Sequence, residues 1–307
     1  GSASPSVSPS VSVAVPRSGP AGTSRPPTGP SIPGLPGSLY YTDGDRLLRL
    51  TRTGLRTVLT TGAHNANVSP DGNHIAYIDD NDNVIVTDRN GNHRRTVMNN
   101  SIQHGYAPAW SPDSRKLLVA SSTTPHQTTL GTLTIATTTF TPLTRQLHDA
   151  IHPLWSADGR HLGYATGTCQ IGTADHTGRN ARTTPTFGSH DTTTNPQRRR
   201  SCDPLSISPD GTQIAVNQRT GDQTDGDIAR DLTANTTIDT HTGANITLPV
   251  TGTITAIHYQ PDSSILVRTR TGNTHHLTLL NPDHTTRTRV TEPTTTKNLH
   301  LLTHTPH

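Results

Sequence analysis

Four of the 18 histidines, His64, His104, His148 and His152, stand just ahead of short apolar segments, at positions that can converge only if those segments lie side by side. Neutral imidazoles brought together in this way could hold Zn²⁺ or another divalent transition metal. The four do not make up a local metal motif and coordination would need contributions from separate segments, so polar lining of a channel is the simpler reading, and no cofactor is expected. A second set is charged. Arg198, Arg199 and Arg200 form the one compact basic run, and Asp222, Asp225, Asp227 and Arg230 crowd a second irregular stretch. Both sets suit polar contacts with a ligand on exposed loops. The only cysteines are Cys169 and Cys202, a pair that permits one disulfide.

Several chemistries find no support. The chain has no G-x-S-x-G elbow, no phosphate-binding P-loop and no H-E-x-x-H zinc helix. Asp79-Asp80-Asn81-Asp82-Asn83 is acidic but lacks the glycine and downstream glutamate of a calcium-binding loop, and it falls where a hairpin turn is due. The net charge of +3 is carried almost entirely by arginine, since Lys116 and Lys297 are the only lysines. This bias points to a GC-rich genome, such as an actinobacterial one. Without a concentrated basic face, nucleic acid is not an expected partner. Apolar residues make up 29% of the chain and no apolar run is long enough to span a bilayer, so a transmembrane bundle is excluded.

The elements that must position these residues repeat along the chain. Ser69-Pro70-Asp71-Gly72, Ser111-Pro112-Asp113-Ser114, Ser156-Ala157-Asp158-Gly159, Ser208-Pro209-Asp210-Gly211 and Gln260-Pro261-Asp262-Ser263 recur with aspartates 42, 45, 52 and 52 residues apart. Proline presets φ for the second position of a tight turn, and Asp and Gly suit the third and fourth. An apolar or aromatic residue precedes each turn: Val68, Trp110, Trp155, Ile207 and Tyr259. A short apolar run follows each, as in Ile75-Ala76-Tyr77-Ile78. A third strand and a Thr/Arg-rich fourth strand complete each unit, as in Val84-Ile85-Val86 and Arg94-Arg95-Thr96-Val97. A period of 40 to 50 residues with four strands predicts a propeller blade.

The first unit lacks its first strand. Asn298-Leu299-His300-Leu301-Leu302, at the far end of the chain, supplies a spare one. The expected fold is therefore all-β: a six-bladed β-propeller of four-stranded antiparallel blades over residues 38–307, its first blade closed by the C-terminal strand. Residues 1–37 are rich in Ser, Pro and Gly and read as a disordered linker, with Gly1-Ser2 as a cloning scar. Such a linker would space the domain from a membrane anchor in a segment removed from the N-terminus.

In this layout Cys169 falls near the start of the third strand of blade four, and Cys202 falls in the loop leading into blade five. Both lie on one face of neighbouring blades, where a disulfide would staple the Arg-rich loop from Thr184 to Asp203. A reactive thiol or a metal pair is less favoured, since no Cys-x-x-Cys motif is present. The loop from Asn217 to Asn235 opens on the same face, which is the expected ligand surface.

The recurring Trp-Ser-Pro-Asp-Gly pattern, clearest at Trp110-Ser111-Pro112-Asp113 and Val68-Ser69-Pro70-Asp71-Gly72, resembles the TolB-like, WD40-like PD40 repeat from residue 38 to about 303. The resemblance implies a periplasmic or extracellular setting. The two long loops, the expected staple and the lack of catalytic motifs lead to a non-enzymatic scaffold or sensor ectodomain, monomeric, that binds a protein, peptide or cell-envelope ligand. Some propellers of this type are polysaccharide lyases, so the alternative is a metal-dependent glycan lyase or hydrolase with its site at the channel mouth.

Overall fold

The computed structural model describes residue 1 and residues 31–102, 107–124, 127–143, 147, 150–185, 187, 199–221, 223 and 231–306. These residues form six four-stranded sheets, every pairing antiparallel. Blade one takes Ser38–Thr42, Leu47–Thr51 and Gly54–Leu59, with His300–Thr305 as its innermost strand. The inner strands of blades two to six are Asn67–Val68, Ala109–Trp110, Ala150–Trp155, Pro204–Ile207 and Thr253–Tyr259. Each touches the inner strands of the next and previous blades, and His300–Thr305 touches both Thr253–Tyr259 and Asn67–Val68, so the ring is closed. The register of closure runs Ser38 opposite Thr305 to Thr42 opposite His300. This is the closure read from the incomplete first repeat.

The turn motif explains why the chain reverses where it does. In blade two the Gly72 N–H donates to the Ser69 carbonyl at 2.8 Å, and the Ser69 hydroxyl donates to Asp71 Oδ1 at 2.5 Å. The same serine oxygen accepts the His74 N–H at 2.9 Å, so one Ser–Asp pair ties both strands to the turn. Ser111–Asp113, Ser156–Asp158 and Ser208–Asp210 repeat the contact at 2.6 to 2.7 Å. The fourth residue of every turn is left-handed: Gly72, Gly159 and Gly211, but also Ser114 and Ser263. Glycine adopts that conformation without strain, which is the physical reason for its place in the motif.

Burial follows position within the blade. The second and third strands of blade two, His74–Ile78 and Val84–Asp88, are buried on both faces, because each sheet is sandwiched between two neighbours. The outermost strands Thr139–Pro142, Arg182–Thr183 and Thr286–Thr291 are largely exposed, which accommodates their Thr and Arg. The core consists of inter-blade layers. Ala76, Ile78, Val84 and Val86 meet Trp110, Leu117 and Val119 between blades two and three, and Ala165 and Ile171 meet Ile207, Ile214 and Val216 between blades four and five. Aliphatic side chains fill most of these layers, so a large propeller is built with only 3% aromatic residues.

One boundary moves. Residues 31–37, placed in the linker on composition, pack against the ring. Ile32 and Leu35 are buried in the layer shared by blades six, one and two, and the Ser31 hydroxyl donates to the Leu50 carbonyl at 2.7 Å. Two apolar side chains among glycines and prolines are enough to dock a short segment where a hydrophobic layer is open. Asp79–Asn83 is a hairpin turn, as expected: Asp79 Oδ1 accepts the N–H groups of Asn81 and Asn83, both at 3.0 Å. Among the described residues, no helix is long and apolar enough to cross a membrane.

A buried clasp secures the closing connection. Arg268, on the second strand of blade six, donates from Nε to Glu292 Oε2 at 2.9 Å, from Nη1 to the Leu299 carbonyl at 2.6 Å and from Nη2 to the Thr296 carbonyl at 3.0 Å. The Tyr41 hydroxyl of blade one donates to Glu292 Oε1 at 2.5 Å, and the guanidinium lies 5.6 Å from the centre of the Tyr41 ring.

Candidate functional site

The inner strands converge on a cavity of about 410 Å³ at the end of the channel where the Ser-Pro-Asp turns lie. All six blades contribute. Trp110, Trp155 and Tyr259, the residues just before three of the turns, supply aromatic surface. Val68, Leu154, Leu205, Ile207 and Leu302 supply aliphatic wall. Pro70, Pro112, Pro261 and Pro306 form a stiff collar.

Several polar side chains of this cavity are held by the protein itself. Asn67 Nδ2 donates to the Pro108 carbonyl at 2.6 Å, and Trp110 Nε1 donates to the Asn67 carbonyl at 3.1 Å. Ser206 donates to the Ile257 carbonyl at 2.7 Å, and the Tyr259 hydroxyl donates to Gln213 Oε1 at 2.8 Å. Burial pushes the Tyr259 phenol well above its ordinary range. Gln260 Nε2 donates to the His258 carbonyl at 3.1 Å. The ring nitrogens of His304 lie 3.0 Å from Gln260 Oε1 and 2.7 Å from the Pro36 carbonyl.

Among the described residues, Asp71 is the one acidic residue of the lining, and no Lys or Arg belongs to it. Burial alone would raise the Asp71 carboxyl, but hydrogen bonds from the Ser69 hydroxyl and the Asn73 backbone and side chain hold it below its ordinary value. The cavity therefore carries an ionised carboxylate at neutral pH.

The residues singled out in the sequence are placed elsewhere. His64 is exposed in the 3₁₀ turn Ala63–Asn65, with its Nε2 3.1 Å from Asn65 Nδ2. His152 is buried in the inner strand of blade four, at a bulge with φ of 48°, and its Nε2 lies 3.9 Å from Asp203 Oδ1. His104 and His148 lie outside the described residues. Among the described residues no group of three or more His, Cys, Asp or Glu is close enough to hold a metal ion.

Arg199 is turned onto blade five, where it donates to Asn245 Oδ1 at 2.7 Å and to the Gly243 carbonyl at 2.6 Å, over the Phe187 ring. Arg200 is only 2% exposed and donates to the Gln223 carbonyl, so its guanidinium braces the loop from within instead of facing a ligand. Arg219 beside it lies 3.7 Å from Asp203 and 3.3 Å from Asp231. Arg198, Asp222, Asp225, Asp227 and Arg230 lie outside the described residues. Cys169 and Cys202 are joined in a disulfide, and the Ser201 N–H donates to the Cys169 carbonyl at 3.1 Å. The staple expected from the strand layout is present.

Sequence reasoning had marked Trp110, Trp155 and Tyr259 as strand residues before turns without assigning them to a cavity. The usable signal was their position: the last residue of an innermost strand borders the channel at the turn end. Sequence reasoning looked to the opposite, loop-bearing end.

Six antiparallel blades around a central cavity define a β-propeller of the repeat-built kind. The chain belongs to the TolB β-propeller family: the family described as PD40, TolB beta propeller domain, matches residues 63–245. Among solved structures, TolB from Acinetobacter baumannii is similar over 83% of this chain and 64% of its own length, with 18% identity and a TM-score of 0.54. This chain thus spans less than two thirds of that TolB. A structure titled as a nidogen/laminin complex matches over 86% of this chain and 95% of its own, with 11% identity and a TM-score of 0.51. An oligogalacturonate lyase in complex with manganese matches over 79% and 69%, with 12% identity and a TM-score of 0.48. These likenesses concern the fold alone. No functionally curated protein matches the chain.

Proposed function

We propose that this protein is a non-enzymatic extracytoplasmic binding module, a scaffold or sensor ectodomain that holds a protein, peptide or cell-envelope ligand at the end of its channel. The observation that carries this reading is the cavity to which all six blades contribute, walled by aromatic and aliphatic side chains. The Cys169–Cys202 disulfide supports an oxidising compartment outside the cytoplasm. Membership of the TolB propeller family and the likeness to a propeller in a nidogen/laminin complex support a protein as partner.

Site-specific photo-crosslinking in intact cells tests the reading. A photoreactive residue at Ala157 reports on the cavity, one at Thr220 on the loop-bearing end and one at the exposed Thr53 on the outer edge. Light-dependent adducts from Ala157 or Thr220 but not from Thr53 are expected. Adducts from none of the three, or from all equally, would overturn the proposal.

A further inference from the structure

The cavity differs from the rest of the molecule in charge. The chain has 25 Lys and Arg residues and a net charge of +3, yet among the described residues neither type lines this concavity, where Asp71 supplies one negative charge. The three guanidinium–ring contacts among the described residues are Arg94 over Tyr77, Arg199 over Phe187 and Arg268 over Tyr41, all outside the cavity. Among the described residues, no guanidinium lies over Trp110, Trp155 or Tyr259. Aromatic faces beside a carboxylate attract a cation, and a desolvated setting strengthens the attraction. Much of the remaining wall is aliphatic, Thr303, Thr305 and His258 add polar surface, and Asn67, Ser206, Gln260 and His304 are bonded within the protein. A carboxylate-rich glycan would meet one repelling charge at Asp71.

We infer that the turn-side cavity takes an apolar peptide segment bearing a single basic side chain, with the arginine or lysine directed at Asp71 and the aromatic rings. The inference rests on the binding function proposed above and specifies its ligand class. The volume of about 410 Å³ suits a few side chains and not a folded domain, so the ligand enters as an extended segment or loop.

The molecule carries its own reporter. Its only two tryptophans, Trp110 and Trp155, both line the cavity, so intrinsic fluorescence reads this site alone. The probe is an acetylated, amidated nine-residue peptide of Leu, Pro and Ala with one central Arg, compared with peptides carrying citrulline or Glu there. The Arg peptide should change the emission saturably, and the other two should bind about two- to fivefold more weakly, as expected for loss of one ion pair. Asp71→Asn should weaken the Arg peptide by a similar factor. Asp113→Asn, which alters the same turn in the next blade but not the lining, should leave binding unchanged.

Equal binding of the Glu peptide, indifference to Asp71→Asn, or no response to any peptide by the folded protein would each overturn the inference. Those outcomes leave the binding function standing if Ala157 or Thr220 still yields adducts in cells that Thr53 does not. Adducts from none of the three sites, or from all equally, would overturn the function itself.

Discussion

Replacing Arg268 with Met tests whether the clasp between blades six and one holds the ring closed. The substitution keeps an unbranched apolar stem and removes every donor. Glu292, whose side chain is 1% exposed, would then keep a buried carboxylate with Tyr41 as its main donor, and the Leu299 and Thr296 carbonyls would lose partners. Breaking a buried ion pair by removing one member costs about 3–5 kcal/mol. With two carbonyls also losing donors, the upper half of that range, about 4–5 kcal/mol, is expected. For a domain of this size each kcal/mol moves the midpoint by about 2–4 °C, so Tm should fall by about 8–20 °C. Calorimetry measures this directly. Adding Glu292→Gln should recover about 2 kcal/mol, because the orphaned charge disappears. Hydrogen exchange should show His300–Thr305 loosening before the strands of blades three and four. A single variant within about 2 °C of the parent, or a double variant as unstable as the sum of its parts, would refute the role given to the clasp.

The disulfide closes a loop with a sequence separation of 33, so Cys169→Ala with Cys202→Ala should destabilise by about 3–4 kcal/mol, measured by urea unfolding. Burial, with Arg268 and Arg270 nearby, lowers the His275 pKa to about 4. The unfolded chain takes up that proton first, so stability should fall as pH drops from about 6.5 towards 4, and His275→Gln should flatten that slope in pH-dependent melts. Burial raises the Tyr164 phenol to about 12, so its contribution is present below about pH 10 and lost as pH rises towards 12. Phenolate absorbance should therefore appear there together with unfolding. Ser263 occupies a left-handed position with φ of 64°, and Ser263→Gly should stabilise by about 0.5–1 kcal/mol in thermal melts.

The blades were legible because each repeats one solved problem. A Ser-Pro-Asp turn, an aromatic or aliphatic residue before it and an apolar run after it identify two strands at once, and the unpaired Tyr40–Tyr41 segment called for a strand from elsewhere. The disulfide was legible because strand order placed Cys169 and Cys202 on one face. Arg200 and His152 were harder. A basic run in a loop looks exposed in one dimension, whereas here Arg200 turns inward to a carbonyl and His152 packs against Asp203. The cavity was missed because its emptiness is a sum over six separate strands, and no single stretch of sequence carries that sum.

Ring closure also sets the order of events in folding. Ser38–Thr42 must wait for a partner some 260 residues downstream, so the contact that completes the domain can form only after the other five blades have been synthesised. Until His300–Thr305 arrives, blade one keeps a bare edge, able to recruit any passing strand. Pairings between such distant segments form slowly. The interval before closure is when this chain most depends on chaperones, and damage to its final strand would be felt first as aggregation.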